Sequence, residues 1–257
     1  LVFFAGHMEE NRVVQVLKEI GFTPLSWGEY LNSVKGELKK RNKSRDFSKM
    51  KPNALNRLVQ GMAAARPEFF ERHIRVNHPN LFIKNLKGVV DAIEDYKREN
   101  RPDDIWFLEC GCGVALFLAA LGKLYRNEDI LFQGYESNGA FLRYSLDRVA
   151  REKLEEKVQI NPSQLTHDKI KLHYSEGDFD IVVCHGSLEL NDNKSLRSIL
   201  SMVGEKGVFI FYGLEKMKEG PIRAKIEAEG FNCRYFSSTP FEKKPLEYVV
   251  AKFQRDS

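Results

Sequence analysis

IWFLECGCGVA, residues 105–115, is the stretch from which the rest of the chain is read. Its first half is a short apolar run closed by Glu109, the pattern of a strand buried on both faces. Its second half, Cys110-Gly111-Cys112-Gly113-Val114-Ala115, is a tight turn feeding an apolar helix over residues 116–125. Glycines at such a turn allow positive φ and let a ligand lie against the main chain. The following helix points unpaired N–H groups and the positive end of its dipole at whatever sits there.

Composition narrows the setting. The 257 residues, 42% of them hydrophobic with a mean hydropathy of −0.41, suit one large α/β domain with an appendage, or two small domains. No apolar run is long enough to span a membrane. The opening LVFFAGHM is too short for a signal peptide and lacks a basic start, so residues 1–7 are read as a tag remnant before Met8. Cys110, Cys112, Cys184 and Cys233 fall in strands or at strand ends. Their spacing is neither a disulfide framework nor a zinc pattern, which implies reduced thiols, a cytoplasmic setting and no metal. A net charge of +4 selects no partner by itself.

Upstream of residue 101 the sequence reads as helices only. Residues 9–20 place Val13, Val16, Leu17 and Ile20 on one face and stop at Gly21. Ser26 and Glu29 form a capping box for a helix to about Arg41, with Trp27, Tyr30, Leu31, Val34 and Leu38 as its apolar face. A polar connection over 42–51 precedes helices over 53–65, 68–76 and 86–99, the second and third separated by a turn at Asn77-His78-Pro79. Downstream, strands (130–136, 157–161, 179–184, 208–212) alternate with helices (140–155, 195–202, 221–229), the sign of a parallel sheet. The helix over 140–155 is expected to bury Phe141, Leu142, Leu146 and Val149, and Gly204–Gly207 to turn into the strand after it. Strands over 231–236 and 246–253 have no helix between them, so they should pair antiparallel.

A strand, a Gly-x-Gly turn and a helix make the nucleotide-cofactor end of a Rossmann-like sheet. The dinucleotide fingerprint needs a third small residue at position 116, and Leu116 stands there. An acid followed by Gly-x-Gly and a small residue two further on fits instead: Glu109, Gly111, Gly113 and Ala115. This resembles motif I of the class I S-adenosylmethionine-dependent methyltransferases, small-molecule type, with Ala115 in place of the usual third glycine. Phe179-Asp180-Ile181-Val182-Val183 is similar to the family's fourth-strand motif, and Gly204-Glu205-Lys206-Gly207 to its turn before the fifth strand. The resemblance covers residues 103–253. It implies a doubly wound, seven-stranded, mostly parallel sheet with an antiparallel last strand. Residues 102–257 would be this domain, and 8–101 a helical cap or lid that binds substrate.

The resemblance also implies roles. S-adenosylmethionine would set its carboxylate on the backbone around Gly111, Cys112 and Gly113, and its ammonium on Glu109. Its ribose diol would meet Glu136, with Ser137 adjacent, and its adenine the turn after the third strand, where Asn161, Ser163 and Gln164 are polar and Gln164 fits the spacing best. Cys184 would line the cofactor at the end of the fourth strand. The Asp/Asn-Pro-Pro-aromatic motif of amino-methylating nucleic-acid and glutamine enzymes is absent from the loop beginning Cys184-His185-Gly186-Ser187. The Leu-Glu-His of many small-molecule enzymes is matched at Leu188-Glu189 but has Leu190 for the histidine. His185 is therefore the candidate base, and Tyr212 a second acceptor contact or a core residue. The acceptor expected is a small molecule or short peptide natural product, methylated on N or O. Two alternatives remain: a dinucleotide-dependent oxidoreductase, and an RNA or protein methyltransferase, or inactive RNA-binding relative, using the basic run from Lys35 to Lys51.

Overall fold

The apolar run of residues 105–110 is extended and buried on both faces: strand β1 (Ile105–Cys110) exposes only Trp106. Six further strands join it: β2 (Ile130–Tyr135), β3 (Val158–Asn161), β4 (Phe179–His185), β5 (Val203–Lys216), β6 (Phe231–Pro240) and β7 (Leu246–Arg255). The computed structural model describes residues 2–41, 52–162, 174–185, 193–216, 222–240 and 246–255. The sheet order is β3-β2-β1-β4-β5-β7-β6. Pairing is parallel from β3 through β5, and β7 runs antiparallel to both of its neighbours. This is the doubly wound sheet with an antiparallel last strand that the sequence implies.

Residue alternation divides the core into two layers. Phe107, Phe132, Ile181, Val183 and Ile210 face one side, with α1 (Val2–Glu19), α5 (Pro79–Asn100), α6 (Leu116–Leu124) and α7 (Gly139–Arg151). Leu108, Cys110, Val182, Cys184, Phe209 and Phe211 face the other, beneath α8 (Asn193–Ser201) and α9 (Ile222–Glu227). Val13, Val16, Leu17 and Ile20 are buried as their spacing requires, and Gly21 ends α1 at φ +79°. α1 itself begins at Val2, inside the stretch read as a tag remnant.

The helical region upstream of residue 101 is thus divided. α1 and α5 are part of the sheet's own core. α2 (Trp27–Arg41), α3 (Pro52–Ala65) and α4 (Pro67–Asn77) meet around a small separate cluster of Tyr30, Val34 and Phe69. The capping box that starts α2 is formed: Glu29 N–H donates to Ser26 Oγ (3.2 Å), and Ser26 N–H to Glu29 Oε2 (2.8 Å). A contact of Arg66 with Glu37 (3.0 Å) ties α2 to the start of α4.

Four expectations are corrected. α5 starts at Pro79, not residue 86, because Pro79 takes the first helical position, where no intrahelical N–H bond is lost. Trp27 and Leu146 are 41% and 46% exposed, since helical spacing defines a stripe without saying how much of it a neighbour covers. Residues 204–207 are an irregularity within β5 rather than a turn before it; the register against β4 shifts between Phe179 and Ile181. Gly207 is required there, because a Cβ would stand 2.8 Å from Gly204 O and 3.0 Å from Asp180 O. Asp180, at the start of β4, accepts from Trp106 N–H (2.8 Å) and Tyr96 hydroxyl (2.5 Å), fastening α5 to the end of the sheet remote from the glycine turn. Burial and this carboxylate together push the Tyr96 phenol well above its ordinary pKa.

Candidate functional site

The parallel strands β1, β2, β3 and β4 end together at Cys110, Tyr135, Asn161 and His185. In an open α/β sheet, ligands bind beyond such ends, where strand order reverses. Here the reversal lies between β1 and β4, with β2 and β3 to one side and β5 to the other.

The turn after β1 carries positive φ at every second residue: Gly111 (73°), Gly113 (57°) and Ala115 (51°). Alternating hand turns successive N–H groups toward one side, the geometry that receives an anion. Two of these amides are engaged internally, Cys112 N–H with Tyr135 O (2.9 Å) and Ala115 N–H with Cys112 O (2.8 Å). The Cys112 side chain is buried against Gly134 of β2. Burial, then the charges of Glu109 and Glu136, hold its thiol well above the ordinary pKa.

Glu109 sits one residue before the end of β1, its side chain only 4% exposed. Alternation puts it on the same face as Phe107, and likewise His185 with Val183 and Tyr212 with Ile210. The three therefore converge although they come from three strands. His185 Nε2 lies 3.1 Å from Glu109 Oε1. The imidazole stacks on Tyr212 (5.5 Å between centroids, 18°) and takes the Phe117 ring edge-on (4.6 Å). Among the described residues, neither Glu109 Oε2 nor His185 Nε2 has an aligned hydrogen-bond partner, although both are shielded from solvent.

A cavity of about 300 Å³ opens over this point. Glu109, His185 and the glycine turn form one wall, and Phe70 and Ile74 of α4 with Phe82 of α5 the other. α4 therefore overhangs the strand ends, and Phe70 is close enough that a Cβ on Gly113 would lie 3.5 Å from its ring. The Tyr212 hydroxyl does not enter the cavity wall as an acceptor contact. It donates to Asn85 O of α5 (2.9 Å), and Gly88 is what lets it approach, a Cβ there lying 2.8 Å from the Tyr212 hydroxyl oxygen.

The other residues implied by the sequence are distributed as follows. Glu136, just past β2, is half-buried; its Oε1 accepts from Asn138 N–H (2.7 Å), while Asn138 caps α7. Ser137 is exposed beside it. Cys184 is fully buried and faces the opposite layer, so only its backbone borders the strand end. Asn161 ends β3, and its carbonyl accepts from Glu136 N–H (3.2 Å). Ser163, Gln164, Ser187 and most of the basic run (42–51) lie outside the described residues. Among those described, no His/Cys/Asp/Glu group could hold a metal ion, and no helix is long and apolar enough to cross a membrane.

One arrangement was missed in sequence. Glu71 of α4 and Arg148 of α7 form a buried ion pair behind the turn; Tyr144 donates to the same Glu71 Oε2 (2.8 Å). Arg148 Nε donates to Val114 O (3.0 Å), and Ser145 Oγ to Gly113 O (2.6 Å). The available signal was positional. Glu71 occupies the apolar stripe of α4 with Pro67 and Ile74, and Ser145 and Arg148 that of α7 with Phe141 and Val149.

The fold is that of the class I methyltransferases. One solved structure that resembles the chain was assigned as a sarcosine dimethylglycine methyltransferase from Galdieria sulphuraria (TM-score 0.53, 8% identity, covering 68% of this chain and 86% of that one). Another is geranyl diphosphate C-methyltransferase from Streptomyces coelicolor A3(2), in complex with Mg2+, geranyl diphosphate and S-adenosyl-L-homocysteine (TM-score 0.51, 8% identity, covering 65% and 78%). No family model matches the sequence, and no curated protein matches it.

Proposed function

We propose that the chain is an S-adenosylmethionine-dependent methyltransferase acting on N or O of a small molecule or short peptide natural product. The observation that carries the reading is the buried, unpartnered Glu109 Oε2 in the cavity beside the glycine turn. A buried carboxylate oxygen without a partner is costly unless a cation or donor completes it. The cofactor's α-ammonium is such a group, and its carboxylate suits the turn beside it, where the Gly113 and Val114 amides are the candidates. Glu136, at the end of the adjacent strand, would accept from the ribose hydroxyls. The order of the strands also favours this reading over a dinucleotide enzyme, whose sheet runs 3-2-1-4-5-6 without the inserted antiparallel strand.

Bound there, the cofactor supplies a methyl group already activated by its sulfonium. The protein's part is alignment and exclusion of water. Phe70, Ile74 and Phe82 line the cavity and would give an acceptor an apolar wall. His185, 3.1 Å from Glu109, would take a proton from an acceptor oxygen or nitrogen, and Glu109 would stabilise the imidazolium formed. A cleft of about 300 Å³ favours a small acceptor over a folded macromolecule.

Incubating the protein with methyl-labelled cofactor and a cell extract, then fractionating by mass, tests this. Label is expected in small molecules or short peptides, and is lost with His185→Gln if the acceptor needs a base. Label found only in RNA or protein would overturn the choice of acceptor and favour the basic-run alternative.

A further inference from the structure

We propose that Glu71 is a positioning residue for the glycine turn, acting through Arg148, so that seating of α4 and the shape of the ligand-binding turn are one event. The effect on the cofactor rests on the methyltransferase reading; the effect on the turn does not.

The strained point is Ala115. It stands at φ 51°, ψ 34°, where an L side chain is strained and where the resembling pattern carries glycine. Such a conformation persists only when its surroundings over-determine it. Two donors do so from behind: Ser145 Oγ on Gly113 O, and Arg148 Nε on Val114 O. The carbonyl of Val114 is part of the peptide that leads into Ala115, so fixing it fixes ψ of Val114 and the entry to Ala115 together.

Arg148 is 1% exposed, and its Nη1 has no hydrogen-bond partner among the described residues. A guanidinium in that position is tolerable only beside a counter-charge. Glu71 is that charge, it is itself 7% exposed, and it comes from α4 rather than from the sheet. Tyr144 holds the carboxylate in place, and burial together with this carboxylate raises the Tyr144 pKa, keeping it a donor. Removing the carboxylate leaves the guanidinium buried and uncompensated. Arg148 then turns toward water, Val114 O loses its donor, and Ala115 is free to leave the left-handed region. Phe70, the neighbour of Glu71, packs over Gly113 and Phe141, so the same helix lines the ligand side and braces the rear.

The test uses the full chain and compares Glu71→Gln, Tyr144→Phe and the double variant Glu71→Gln/Ala115→Gly. Val34→Ala, which loosens the α2–α4 cluster without touching the pair, is the control. Hydrogen exchange of the 110–118 segment is read without ligand, and affinity for S-adenosyl-L-homocysteine by calorimetry. Glu71→Gln is expected to speed exchange in the turn and weaken binding roughly tenfold or more, a common size for coupling between sites. Tyr144→Phe should do the same to a smaller degree, which keeps the test alive if Glu71→Gln does not fold. Ala115→Gly should restore both in the Glu71→Gln background, because glycine adopts the left-handed conformation without strain. A merely structural role would not speed exchange selectively in the turn and would not be rescued by glycine. Turn exchange that is unchanged in Glu71→Gln and Tyr144→Phe, or that rises equally in Val34→Ala, overturns the proposal. If the unsubstituted protein binds no S-adenosyl-L-homocysteine, the cofactor reading falls and the exchange experiment still decides the role of Glu71.

Discussion

At the scale of single residues, the site depends on positions whose importance lies in what is missing from them. Gly134 is the clearest. A Cβ there would lie 2.4 Å from Leu118 Cδ1, 2.9 Å from Cys112 Sγ and 3.0 Å from Cys112 Cβ. Leu118 is fully buried and Cys112 nearly so, leaving neither room to withdraw. Gly134→Ala should therefore cost about 1–3 kcal/mol, as overpacking of a filled core does. That is a melting temperature lower by about 2–4 °C for each kcal/mol in a chain of this size. The same push on Cys112 displaces the glycine turn, so cofactor affinity should fall with stability. Thermal unfolding that shows no shift would mean the neighbours yield more easily than their burial implies.

At the scale of elements, α4 joins the helical part of the chain to the strand ends, and it carries a titratable contact. His73 is half-buried on α4, beside the ring of Tyr30 and 3.0 Å from Asn77 Nδ2 through its Nδ1. Burial, then the neighbouring His78, hold its pKa below the ordinary 6.5. The folded chain thus resists a proton that the unfolded chain accepts. The contribution of His73 to stability is full above pH 6.5 and declines as pH falls through that value toward its lower folded pKa. A melting temperature measured from pH 7.5 to 5 should fall less steeply in His73→Gln than in the unsubstituted chain. Equal slopes would show that the ring protonates as easily in the folded state as in the unfolded. How much of such an element is legible in sequence depends on whether its signal is local. The α2 capping box, the stripe of α1 and the proline that opens α4 are local, and all are formed. The Glu71–Arg148 pair spans 77 positions, and nothing at either end names the other. Arg148 is buried because α4 brings a carboxylate to one side of α7, while Leu146, on the other side, is 46% exposed.

At the scale of the whole molecule, a sheet order with its reversal at β1 and β4 places a glycine turn, a buried acid and a histidine at one point. The turn and the acid were readable as a motif because their roles fall within seven consecutive residues. The convergence of Glu109, His185 and Tyr212 was not, since it follows from strand register across β1, β4 and β5. Nor was the division of the helical region, in which α1 and α5 serve the core while α2–α4 form their own cluster, of which α4 lines the cavity. This point is proposed to bind S-adenosylmethionine through Glu109 and the turn. Calorimetric titration of the full chain with S-adenosylmethionine, beside Glu109→Gln and Gly113→Arg, tests it most directly. Saturable one-to-one binding is expected, with loss of about 1.5–3 kcal/mol in Glu109→Gln, the worth of a charge-assisted hydrogen bond. Gly113→Arg should abolish binding, because it forces a side chain into a positive-φ position beneath Phe70. No heat of binding to the unsubstituted chain, or binding untouched by both substitutions, would contradict it.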